Sequence, residues 1–166
     1  MNDTPEEVFW KYARPCIDDL KRLDAIDPCV YDSLMGFFRS GTVPGRNLLK
    51  SAFPNAIKRL VRFSEDENYW TVDNIRRYFL VYHNDIIDNK EDFYADRYSD
   101  QKIRDLCKVC VGTVLEKKGP ADNVIYVVDF GDKKEPVAGK YFLDAEVGEK
   151  VSVHWRFAIE KIDFNF

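Results

Sequence analysis

Lys150-Val151-Ser152-Val153-His154-Trp155-Arg156-Phe157-Ala158-Ile159-Glu160-Lys161-Ile162 alternates apolar and polar side chains along most of its length. A period of two belongs to an extended strand, whose successive side chains point to opposite faces. Val151, Val153, Trp155, Phe157 and Ile159 then share one face, and Ser152, His154, Arg156, Ala158 and Glu160 share the other. This reading expects one long strand, with His154 and Arg156 turned away from the apolar side toward solvent or a partner.

The same period extends upstream through Val124 to Phe130 and Lys108 to Glu116, with a shorter run near Lys134 to Val137. Lys118-Gly119-Pro120, Gly131-Asp132 and Val147-Gly148 supply the turn chemistry between them. Short strands in so brief a segment must close on themselves or lie on helices to hide their edges, so a small β-barrel is expected over residues 105–166.

Before Asp105 the period is 3.6. Thr4-Pro5-Glu6-Glu7 joins a capping threonine, a proline at the first helical position and a glutamate three residues after the cap, which predicts a helix start. Pro15 should kink or restart that helix, because it lacks an amide proton. Asp27-Pro28 repeats the start signal and Gly41 is placed to end the helix that follows. Further helical patterns run from Arg46 to Phe53, through Ala56 to Phe63, and from a Thr71 cap through Ile87. Asn89 to Asp100 reads as a polar tract, followed by one more helical turn at Gln101 to Leu106. The expected fold class is therefore α+β: an all-helical domain over residues 1–104, then the barrel.

A chain of 166 residues with 45% hydrophobic and 14% aromatic content can bury a core without disulfides or metal. Its 25 basic and 29 acidic residues give a net charge of -4, which argues against a surface that neutralises many phosphates, so no nucleic-acid partner is expected. Lys58, Arg59, Arg62, Arg76 and Arg77 read as a solvated face paired with Glu65, Asp66, Glu67 and Asp73. No run approaches the roughly 18 apolar residues of a membrane span, and Asp3, Glu6, Glu7, Asp18 and Asp19 stand where a leader would be apolar, so a cytoplasmic protein without a membrane partner is expected. Reduced thiols follow for Cys16, Cys29, Cys107 and Cys110. The sequence holds no glycine-rich phosphate loop, no Ser-His-Asp order and no metalloprotease histidine pair, so no enzyme activity is expected.

Cys107 followed by Gly112-Thr113-Val114, then Val127-Val128-Asp129-Phe130-Gly131, Val147-Gly148-Glu149-Lys150-Val151-Ser152-Val153-His154 and Phe157-Ala158-Ile159-Glu160-Lys161-Ile162-Asp163 resemble, in order and spacing, the HypC/HupF family of hydrogenase maturation chaperones. The resemblance is confined to the C-terminal part of the chain. It implies an OB-like β-barrel that carries or hands over an iron centre bearing cyanide and carbon monoxide during nickel-iron hydrogenase assembly. It also implies two partners, a HypD-type scaffold protein and the hydrogenase large subunit. Cys107 occupies the place of the family's functional cysteine at the start of the first strand. Arg156 stands where the family usually has glycine, on the face expected to meet a partner.

Each candidate residue has a plainer reading beside the functional one. Cys107 is either a soft thiolate donor suited to ferrous iron or a small buried hydrophobe. His154 is either a second ligand that assists Cys107 or a surface histidine on a polar strand face. Cys107 and Cys110 form a CxxC, but on a strand their sulfurs would point apart, which disfavours a shared metal. His83 lies in an apolar helical pattern and reads as an interior residue. The alternative to the maturation function is a non-catalytic interaction module whose barrel has lost the iron chemistry.

Overall fold

The computed structural model of the protein describes residues 3–64, 67–91 and 100–163. Glu65 and Asp66, most of the Asn89 to Asp100 tract and the final Phe164-Asn165-Phe166 lie outside the described residues.

The helix starts follow the capping chemistry. At α1 (Pro5–Ala13) the Thr4 amide donates to Glu7 Oε2 at 2.6 Å while the Glu7 amide donates to Thr4 Oγ1 at 3.3 Å, a reciprocal capping box. Pro15 sits in a 3-10 turn (Arg14–Cys16) that redirects the chain into α2 (Ile17–Arg22). Asp27 accepts the Cys29 and Val30 amides at the start of α3 (Pro28–Ser40), and Gly41 ends it with φ 68°. After α4 (Arg46–Ala52) and α5 (Pro54–Phe63), Thr71 caps α6 (Val72–Arg77). That helix runs through a π-helical turn (Tyr78–Tyr82) into α7 (His83–Asp88). The last helix, α8 (Gln101–Cys107), is capped by Asp100. Among the described residues no helix is long and apolar enough to cross a membrane.

Five strands close into a barrel in the order β1-β2-β3-β5-β4: β1 (Cys110–Lys118), β2 (Ile125–Asp129), β3 (Lys134–Ala138), β4 (Lys150–His154) and β5 (Phe157–Lys161). Neighbours are antiparallel except β3 and β5, which meet in parallel at Ala138 and Phe157. Val114, Val124, Tyr126, Val128, Val137, Val151, Val153 and Ala158 fill the interior. Gly112 is required by close approach: a Cβ there would lie 2.5 Å from Val128 Cγ1 and 2.8 Å from the Asp129 carbonyl oxygen. The fold is thus α+β with a small closed barrel.

Three expectations about the barrel need correction. The last strand is a hairpin, broken at Trp155 and Arg156, whose φ values of 52° and 62° make a left-handed two-residue turn. The alternation on either side masks the break, because Trp-Arg lacks the Asn or Gly that usually marks such a turn. The predicted common face splits accordingly. Val151 and Val153 enter the barrel, whereas Trp155, Phe157 and Ile159 join the helical core. The second correction concerns His154, which is 0% exposed instead of facing solvent. Third, Cys107 is the final residue of α8, not the start of a strand, and β1 begins only at Cys110.

The outer face of β4 and β5 is covered by helices, and a polar network occupies the seam. Arg76 donates to both oxygens of Glu160, at 3.0 Å from Nε and 2.7 Å from Nη2. The Tyr12 hydroxyl donates to Glu160 Oε1 at 2.7 Å and lies 3.2 Å from Ser152 Oγ. Arg76 therefore serves the helix–barrel junction instead of a solvated face. Arg59 is buried, at 6% exposure, where a solvated residue was expected. Partnered in this way, polar residues on β4 and β5 can be buried without an orphaned charge.

Candidate metal centre

Two backbone constraints bring the Cys107 and His154 positions together. The Trp155 amide, immediately after His154, donates to the Leu106 carbonyl, immediately before Cys107, at 2.9 Å. The hairpin tip is thereby pinned to the last turn of α8. The Asn84 side chain on α7 adds a second clasp: its Oδ1 accepts the Val109 amide at 2.9 Å and its Nδ2 donates to the Val109 carbonyl at 2.8 Å.

The orientation of His154 follows from its surroundings. Nδ1 lies 2.8 Å from the Tyr12 carbonyl oxygen. A carbonyl only accepts, so Nδ1 carries a proton, and in the neutral ring the lone pair is on Nε2. That Nε2 stands 3.6 Å from Cys16 Sγ. Cys16 Sγ, Cys107 Sγ and a His154 ring nitrogen all lie within 4.8 Å of one another. A carbonyl holding the far nitrogen of an imidazole is also the arrangement that orients metal-binding histidines.

His83 completes the surroundings. It follows directly on the π-helical turn, a backbone irregularity often found at functional sites. Its ring centroid is 5.5 Å from that of His154, the planes crossing at 78°. It hydrogen-bonds the Cys107 sulfur, and burial holds its own pKa below the ordinary histidine value.

The two sulfurs are electrostatically unlike. The hydrogen bond from Cys16, joined by that from His83, holds the Cys107 thiol well below the usual cysteine range against the opposing effect of burial. The same Cys107 contact, with burial, pushes Cys16 well up. Their mutual contact thus displaces the two thiols in opposite directions. The buried Nε1 of Trp155 has no hydrogen-bond partner among the described residues, yet the indole N–H lies close enough to favour the thiolate of Cys16.

Cys107 is 2% exposed, but it is not sealed. A cleft of about 90 Å³ has Cys16, Cys107 and His83 along its wall, together with the exposed Pro54 and Asn55. Its remaining lining is largely apolar, with buried Arg59 and Tyr78 adding polarity; burial pushes the Tyr78 hydroxyl up to about 12. The volume suits a ligand of a few heavy atoms.

Of the residues singled out in the sequence, Cys107 and His154 do share one site. Cys110 is exposed and separate in environment from the buried Cys107, and Arg156 is exposed at the hairpin turn. Cys16 was missed by sequence reasoning. It lies in a 3-10 turn with no recognisable motif, and its partner His154 is 138 residues away. The available signal was weak: Pro15-Cys16 marks a forced bend, where a side chain leaves the regular helical face. No family model matches the chain, and no curated protein matches it.

Proposed function

We propose that the chain is an accessory protein of metalloenzyme assembly, of the HypC/HupF kind, acting by protein contact and holding an iron centre as cargo at Cys107 and His154. The observation that carries this reading is the meeting of a thiol of lowered pKa with an oriented imidazole lone pair beside a small cleft. A thiolate and an imidazole are both suitable donors to ferrous iron. The strand order and the parallel β3–β5 contact support describing the barrel as OB-like.

In this reading the chain's residues divide the work. Cys107 supplies charge, the Tyr12 carbonyl aims His154, and His83 hydrogen-bonds the sulfur. Exposed Arg156 at the hairpin tip, near the covered site in sequence, offers a contact to a HypD-type scaffold or to the hydrogenase large subunit. A cytoplasmic setting, which keeps thiols reduced, fits this use of Cys107. Affinity capture of the tagged chain from a hydrogenase-producing host should recover one of those partners, and Cys107→Ala should abolish iron loading. Recovery of neither partner would overturn the hydrogenase assignment.

One observation favours a second reading. Cys107 is fixed at a helix end and nearly inaccessible, which suits a barrel retained as an interaction module without iron chemistry. Under that reading Cys107→Ala changes stability slightly and leaves partner capture intact.

A further inference from the structure

We propose that Cys16, on the helical side of the seam, is a third ligand beside Cys107 and His154, so that a thiophilic divalent cation of the zinc or ferrous class bridges the helices and the barrel. The proposal rests on the preceding reading for the metal-handling role of Cys107 and His154. It goes further in assigning Cys16 and the ligand count.

Distance supports it first. Tetrahedral sites with metal–sulfur bonds near 2.3 Å and metal–nitrogen bonds near 2.0–2.1 Å place neighbouring sulfur and nitrogen ligands about 3.5 Å apart, and two sulfurs about 3.8 Å apart. Cys16 Sγ and His154 Nε2 already stand 3.6 Å apart. The 4.8 Å limit on the whole triad leaves at most a small contraction, within reach of side-chain rotation.

Preparation of the donors supports it independently. His154 Nε2 has its lone pair free for coordination because Nδ1 is held by the Tyr12 carbonyl. The buried Trp155 N–H, next in the chain to His154, has no hydrogen-bond partner among the described residues and could donate to a metal-bound thiolate. Both cysteines would bind a cation as thiolates, with the indole and His83 serving as outer hydrogen-bond partners. Three protein ligands leave one tetrahedral position for an outside donor, and the adjoining cleft provides space for it. Such a site exchanges ligands; a site with four protein ligands is closed.

Cobalt(II), a spectroscopic stand-in for zinc, tests the ligand count. The purified full-length chain, reduced and kept anaerobic, should bind one equivalent and show tetrahedral ligand-field bands with sulfur-to-cobalt charge transfer. Cys16→Ser should lower that charge-transfer intensity by roughly half, from two thiolates to one, and weaken binding more than about a hundredfold, since losing an outer partner alone costs about 10–100-fold. Thermal melting of the apo variant, and a parallel Cys16→Ala variant, establish that the fold survives. Mass spectrometry after alkylation of the wild-type chain needs no variant: zinc should protect Cys16 and Cys107 while exposed Cys29 and Cys110 still react.

Wild-type charge-transfer intensity in Cys16→Ser, or unprotected Cys16 in the zinc-bound chain, overturns the assignment of Cys16. If Cys107→Ala then abolishes binding, Cys107 and His154 remain as the metal site of the preceding section. Failure of the wild-type chain to bind cobalt, zinc or ferrous ion overturns the metal proposal, while affinity capture still decides the assembly reading separately.

Discussion

The barrel interior and the helix–barrel seam are both buried, but they are built from different materials. The interior is mainly apolar, packed by Val114, Val128, Val137, Val151 and their neighbours. The seam contains Arg76, Ser152, His154 and Glu160, each joined to a residue on the other side or to its own strand partner. Apolar packing tolerates exchange among residues of similar volume, because it has little directionality. A buried polar network depends on every partner being present. The contrast predicts that the seam is the more brittle region and the interior the more replaceable one.

The largest effect should come from Glu160→Ala, which strands the Tyr12 hydroxyl and removes the bidentate partner of Arg76. A loss of about 3 kcal/mol in urea unfolding is expected, toward the low end for a broken buried pair because Arg76 keeps Asp3 at 3.0 Å. Val128→Ala, at a fully buried interior position, should cost about 2 kcal/mol and leave the seam intact. Equal or greater destabilisation by the valine change would break the comparison. Thr4→Ala, removing the capping side chain of α1, should cost about 1 kcal/mol and serves as a measure of local against cross-seam effects.

Trp155→Phe should cost no more than about 1 kcal/mol, for a smaller ring packed against the helical core, since the lost N–H has no geometric partner among the described residues. The same change should weaken cobalt binding about tenfold, measured by titration against a chelator. This separation of stability from affinity would locate the function of the seam in its polar atoms instead of its packing.

Local chemistry explains why some features were legible in the sequence. Thr4, Asp27 and Thr71 act on amides two or three residues away, and the structure shows each hydrogen bond. The barrel strands were legible for a similar reason, since alternation is decided by adjacent residues. The reading failed where tertiary contacts overruled local pattern. Trp155 and Arg156 adopt left-handed backbone geometry without glycine, so the hairpin went unseen and His154 was assigned to the wrong environment. Ser152 and Glu160 look like an exposed polar face until Tyr12 and Arg76 are brought over them. Cys16 carried only the local mark of the bend at Pro15; its meaning depends on residues supplied by the far end of the chain.

The hydrogen bond from the Trp155 amide to the Leu106 carbonyl gives the centre a backbone-defined bite. Two positions held by main-chain geometry have already lost most of their relative freedom, so an ion bound as proposed would not have to organise a floppy chelate. Because the clasp itself uses no side chain, donor identity at positions 107 and 154 can change while the spacing persists. If the proposed centre binds metal, single substitutions at these positions should alter its metal preference without rebuilding the junction that holds it.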